Sequence, residues 1–179
     1  MSTTTVLLII LLIAVAGLVT VMILQHQASR KLRTRFGPEY DRLTRNNSPK
    51  NAETILHERE KRYATFQIRP LSREQSDKFA AEWRSIQEHF VDDPRGAAAS
   101  ADGLIDRVLQ ARGYPLGDFA QQADDLSVEH ARVVDRYRTA HEIVSRDQAG
   151  AASTEDLRVA MQHYRALFEE LVDIPVVKF

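Results

Sequence analysis

Residues 72–91 read SREQSDKFAAEWRSIQEHFV, and this stretch decides the fold. Phe79, Trp83, Ile86 and Phe90 recur at spacings of four, three and four, which places all four on one face of a helix from about Arg73 to Val91. Ser72 followed three residues later by Gln75 is a capping box that starts it. A face this apolar has to be covered, and helical spacing assigns it to a core rather than to an aromatic ligand platform.

The same signals repeat on both sides. Downstream, Asp93-Pro94 opens a helix with Ala97, Ala98, Ala101, Leu104, Ile105 and Val108 on its inner face, and Gly113 stops it after Arg112. Residues 114–119 read as a turn, with a short helix from Asp118 to about Asp125. Ser127 is expected to cap a helix to about Arg146 whose stripe is Val133, Val134, Tyr137, Ala140, His141 and Val144. After a linker at 148–152, Ser153 caps a last helix carrying Leu157, Ala160, Met161, Tyr164, Phe168 and Leu171. No segment alternates with period two. The chain is therefore expected to be all-α, with about four long helices forming an antiparallel bundle over residues 70–179. The terminal residues 174–179 are expected to dock on that bundle.

Upstream, Ser48-Pro49 opens a charged helix to about Phe66, and Gly37-Pro38 separates a short helix to about Arg45 from what precedes it. Before these lies a run of nineteen uncharged residues, Val6–Leu24, almost all Val, Leu, Ile, Ala or Met. As a helix it is about 28 Å long, close to the hydrocarbon thickness of a bilayer. The expected organisation is a short extracytoplasmic N-terminus (1–5), a transmembrane helix (6–24), a basic juxtamembrane segment with charged helices (25–69) and the soluble bundle (70–179). A cleaved signal peptide, which would leave the bundle extracytoplasmic, fits less well. Residues 1–5 carry no Lys or Arg, and the small-x-small pattern Ala14-Val15-Ala16 lies inside the run.

Charge sets the orientation. Residues 1–29 carry no charged side chain, and residues 30–45 carry six basic against two acidic ones. Residues 46–179 carry eighteen basic against twenty-three acidic. Lys and Arg concentrate on cytoplasmic flanks, so Arg30, Lys31, Arg33 and Arg35 place the N-terminus outside and the bundle in the cytoplasm. The collar is read first as this topology signal, and second as a contact for anionic lipid headgroups. Glu39, Asp41, Glu53, Glu58 and Glu60 argue against segment 38–66 lying on the bilayer surface. The mildly acidic remainder lacks the basic face of a nucleic-acid binder. The chain has no cysteine, which removes disulfides, thiol catalysis and thiolate metal sites.

Candidates for chemistry are few. His130 and His141 lie three helical turns apart, and His163 sits beside the Met161–Tyr164 stripe. Paired Glu-x-x-His motifs, a His-Glu-x-x-His helix, a glycine-rich phosphate loop and a Gly-x-Ser-x-Gly elbow are all missing from the sequence. No catalytic residue, metal or cofactor is therefore assigned. Asp92-Asp93, Asp124-Asp125 and Glu169-Glu170 read as caps or solvated faces.

The stretches RFGPEYDR (35–42), RPLS (69–72), FVDDP (90–94), RGYP (112–115) and ASTEDLR (152–158) carry a resemblance. Together they resemble an uncharacterised family of bacterial single-pass membrane-anchored helical proteins. The resemblance implies bacterial origin and a plasma-membrane location, and it implies no activity, cofactor or catalytic residue. Two functions are expected on these grounds. One is a membrane-tethered, non-enzymatic interaction or regulatory module with an unidentified protein partner. The other is a small-molecule or metal-binding bundle with a pocket near Tyr137, His141 and His163.

Overall fold

Ser48, Ser72, Asp93 and Ser153 open helices at the positions the sequence predicts. The computed structural model describes residues 3–147 and 150–172, and every regular element among them is helical. The helices are α1 (Thr3–Phe36), α2 (Pro38–Asn46), α3 (Pro49–Tyr63), α4 (Arg73–His89), α5 (Pro94–Arg112), α6 (Phe119–Leu126), α7 (Ala131–Asp147) and α8 (Thr154–Val172). Ser72 Oγ accepts from the Gln75 amide at 3.2 Å, and Gln75 Oε1 accepts from the Ser72 amide at 2.9 Å, which completes the capping box. Asp93 accepts from the Gly96 amide at 2.9 Å ahead of Pro94. Ser153 and Asp156 bond reciprocally at the start of α8.

The core lies among α4, α5, α7 and α8. Trp83 and Ile86 of α4 meet Ala98, Ala101, Leu104, Ile105 and Val108 of α5, Val134 and Ala140 of α7, and Leu157, Tyr164, Leu167 and Phe168 of α8. The Trp83 and Phe168 rings stack at 5.0 Å with 15° between their planes. Alanines along α5 remove bulk where its neighbours approach, so the helices close over a dense interior.

A second apolar cluster joins Leu32 and Phe36 of α1, Tyr40 and Leu43 of α2, Ala52 and Leu56 of α3, and Val128 of the α6–α7 turn. The charged helices α2 and α3 are thus folded back on that turn, with their apolar stripe buried against it.

One cap differs from expectation. Ser127 does not open α7. It ends α6, fully buried, and its hydroxyl donates to the Asp124 carbonyl at 2.6 Å. The chain then turns through Val128–His130, and α7 starts at Ala131. A serine hydroxyl can close the last turn of one helix as well as open the next, and here the three-residue back-bond prevails. Helix α3 also stops at Tyr63, short of Phe66. The expected docking of residues 174–179 lies outside the described residues, as does part of the 148–152 linker.

Gly113 ends α5 with φ +92, and a Cβ there would run into the Gln67 carbonyl oxygen. The α3–α4 connection crosses the end of α5 at this point, where the Arg69 amide donates to the Arg112 carbonyl at 2.9 Å. Gly113→Ala is expected to cost more than the roughly 1–2 kcal/mol of left-handed strain, because the crossing strand must also move. A urea midpoint unchanged by that substitution would refute this reading.

Among the described residues no helix is long and apolar enough to cross a membrane. Within Val6–Leu24 the described side chains are those of Leu12, Ile13, residues 15–20 and Met22.

Candidate functional site

Two polar clusters lie where the helices meet. The first is a pocket of about 230 Å³ between α5, α6 and α7. Asp102 and Asp106 are one turn apart on α5, Tyr137 and His141 are one turn apart on α7, and Phe119 and Gln122 come from the first turn of α6. Leu116 and Gly117 of the preceding turn complete the rim. Asp118 fixes the start of α6 by accepting from the Gln121 amide at 2.8 Å, and that bond sets Phe119 over the pocket.

Its hydrogen bonds form two chains. Tyr164 Oη donates to Asp102 Oδ1 at 2.8 Å, and His141 Nδ1 lies 3.3 Å from the same oxygen. A carboxylate only accepts, so the imidazole donates to it from Nδ1. In the second chain Tyr137 Oη donates to Gln122 Oε1 at 3.0 Å, and Gln122 Nε2 donates to Asp106 Oδ1 at 3.1 Å. The His141 ring lies flat on Phe119, with centroids 3.6 Å apart and planes within 5°. Burial, and then the charges of Asp106 and Asp102, push the Tyr137 phenol well above its usual range. Burial, and then Asp102, do the same to Tyr164. Both phenols therefore stay protonated as donors. Burial pushes the Asp106 carboxyl up, the Gln122 amide pulls it back, and the charge of Asp102 adds to the rise.

Of the three residues singled out from sequence, Tyr137 and His141 line this pocket and His163 does not. His163 precedes Tyr164 by one residue, a turn of about 100° round the helix. Its imidazole is pushed down by burial and by the charge of Arg136. Among the described residues no group of three His, Asp or Glu side chains could hold a metal ion. No family model, curated protein or solved structure matches this chain.

The second cluster is centred on Glu39, a carboxylate 1% exposed. Its Oε2 accepts from Arg42 Nε at 3.0 Å and from Arg138 Nη1 at 2.7 Å, and its Oε1 accepts from Arg59 Nη1 at 2.6 Å. Asp124 Oδ1 supplies the second anion, 2.7 Å from Arg59 Nη2 and 2.8 Å from Arg138 Nη2. Burial alone would raise the Glu39 carboxyl. The Arg42 hydrogen bond and the charges of Arg138, Arg59 and Arg42 overcome that and hold it down to about 2. The hub ties α2 and α3 to α6 and α7, and Arg62 of α3 adds a bond to the buried Asp125 at 3.0 Å.

The collar is partly committed to the protein itself. Arg33 lies 3.5 Å from Asp41, and Arg35 lies 2.6 Å from Glu60. Arg30 and Lys31 form no ion pair among the described residues.

A wider cleft of about 670 Å³ opens between the start of α4 and the end of α8. Within it His130 Nδ1 lies 2.7 Å from Glu170, and Arg112 donates to the Leu171 carbonyl. The smaller pocket, with two carboxylates and an aromatic wall, has the more distinctive chemistry.

Proposed function

We propose that this chain is a membrane-tethered, non-enzymatic helical module of the bacterial plasma membrane, with its N-terminus outside and its bundle at the cytoplasmic leaflet. The observation that carries the reading is the contrast along α1. Leu12, Ile13, Leu18 and Met22 are more than 60% exposed, whereas Leu32 and Phe36 further along the same helix are buried in the second apolar cluster. A continuous helix whose described apolar side chains are exposed at one end and packed at the other is accounted for by an apolar solvent at the exposed end. The uncharged run Val6–Leu24 and the one-sided basic flank support the same reading.

The test uses the absence of native cysteine. Val91, 84% exposed on the bundle, is replaced by Cys in the full chain, and intact spheroplasts are treated with a membrane-impermeant maleimide. Labelling is expected only after permeabilisation, with the chain staying in the membrane pellet after alkaline carbonate extraction. Release by carbonate would remove the anchor, and labelling of intact spheroplasts would reverse the orientation.

A second reading, a small-molecule-binding bundle, is favoured by one observation. Tyr137 and His141 converge with Asp102, Asp106, Phe119 and Gln122 on a single cavity.

A further inference from the structure

The α5–α6–α7 pocket has a chemistry that points to one class of occupant. Two carboxylates line it, and among the described residues neither forms an ion pair with a Lys or Arg. Asp106 accepts from the neutral amide of Gln122 and forms no ion pair among the described residues. Arg107, next to it on α5, is engaged by Glu82 of α4. Asp102 accepts from the neutral Tyr164 hydroxyl, and its one ionisable partner is His141. The remaining wall is aromatic. Phe119 stacks on the His141 imidazole, and its ring centroid lies 5.0 Å from that of Tyr137 with the planes tilted. Aromatic faces attract cations through their ring quadrupole, and a carboxylate next to such a face adds a charge-assisted hydrogen bond.

We infer that this pocket binds a small organic cation, an ammonium or guanidinium group on a short apolar body, with the charged head between Asp102 and Asp106 and the body against Phe119 and Tyr137. The size agrees: a pocket of about 230 Å³ accommodates a four-carbon amine. The rim residue Leu116 is 70% exposed and gives an apolar edge at the mouth. The raised Asp106 carboxyl agrees as well, since a carboxylate disfavoured by its surroundings gains most from an arriving cation. This inference rests on the small-molecule reading of the pocket and adds the charge of the ligand to it.

The test titrates the full-length chain with n-butylamine, butylguanidine, n-butanol and butyrate, following the ring resonances of Phe119, Tyr137 and His141 by NMR. Saturable shifts are expected at millimolar amine or guanidine, with neither butanol nor butyrate competing. Asp106→Asn keeps an acceptor for Gln122 and removes the charge, so cation affinity is expected to fall about tenfold with the fold unchanged. Phe119→Leu, which keeps apolar volume against the ligand's body, is expected to leave cation affinity within about twofold, and a loss of about tenfold would overturn the placement of the head between the carboxylates. Equal binding of butanol or butyrate would overturn the cation assignment while leaving a small-molecule site. No binding of any of the four would overturn both.

Discussion

Replacing Glu39 with alanine is expected to lower the unfolding free energy by about 3–5 kcal/mol, because three guanidinium groups then share one remaining carboxylate in a buried place. The effect is large for a residue in an outlying helix. It arises from where the charge sits: Glu39 is 1% exposed and accepts from Arg42, Arg59 and Arg138. The figure measures the cost of stranding those cations and not the net worth of the ion cluster, which against an apolar replacement of the whole group is far smaller. Urea unfolding of Glu39→Ala beside Glu155→Ala, whose carboxylate is exposed and pairs locally with Arg158, provides the comparison. Equal midpoints would show that the hub contributes nothing special.

Acid provides an independent route to the same group. The Glu39 carboxyl is held at about 2 in the folded chain, against an ordinary value of 4.5 when unfolded. Its contribution is therefore fully present above pH 4.5 and is lost as the pH falls from there toward 2. Its full size is about 3 kcal/mol at roughly 1.36 kcal/mol per unit. A stability-against-pH curve for Glu39→Gln is expected to be flatter than that of the natural chain in this window. A parallel pair of curves would assign the acid sensitivity to other carboxylates.

Trp83→Ala is expected to cost a further 3–5 kcal/mol in its own right, as for other large aromatic truncations in a packed core. The indole is 1% exposed and lies flat on Phe168, so its removal opens a cavity between α4 and α8 that the surrounding alanines cannot fill. Trp83→Phe separates two contributions. The indole Nε1 is buried without a hydrogen-bond partner among the described residues, so phenylalanine gives up some ring area but also removes a buried polar group. Its expected cost is below about 1.5 kcal/mol. If both variants shift the urea midpoint equally, the nitrogen does form a bond that matters.

How much of this was legible in the sequence follows the range of each signal. Capping is local, and Ser48, Ser72, Asp93 and Ser153 begin helices where expected. Ser127 misleads because its hydroxyl has two local uses and the sequence does not choose between them. Periodicity finds the buried face of α4, yet Phe79 and Phe90 prove to be partly buried at the edge of the core while Trp83 and Ile86 reach its centre. Which end of a stripe is innermost depends on the neighbouring helices. The hub was not legible. From sequence Glu39 is one more acid in a charged segment, and its partner Arg138 lies ninety-nine residues away. The pocket was half legible. Tyr137 and His141 share a helical face, but Asp102, Asp106 and Gln122 gain their role only once α5 and α6 are set beside α7.

The single-residue seam between α1 and α2, Gly37, has a mechanical consequence. At about 1.5 Å per residue, the 34 residues of α1 make a rod of roughly 50 Å, anchored near one end by Leu32 and Phe36. Gly37, at φ +43 with nothing near its missing side chain, is the pivot. A lever of that length turns a small rotation at Gly37 into a displacement of several ångströms at the far tip. Conversely, any tilt imposed on the tip arrives as torque two residues from Glu39.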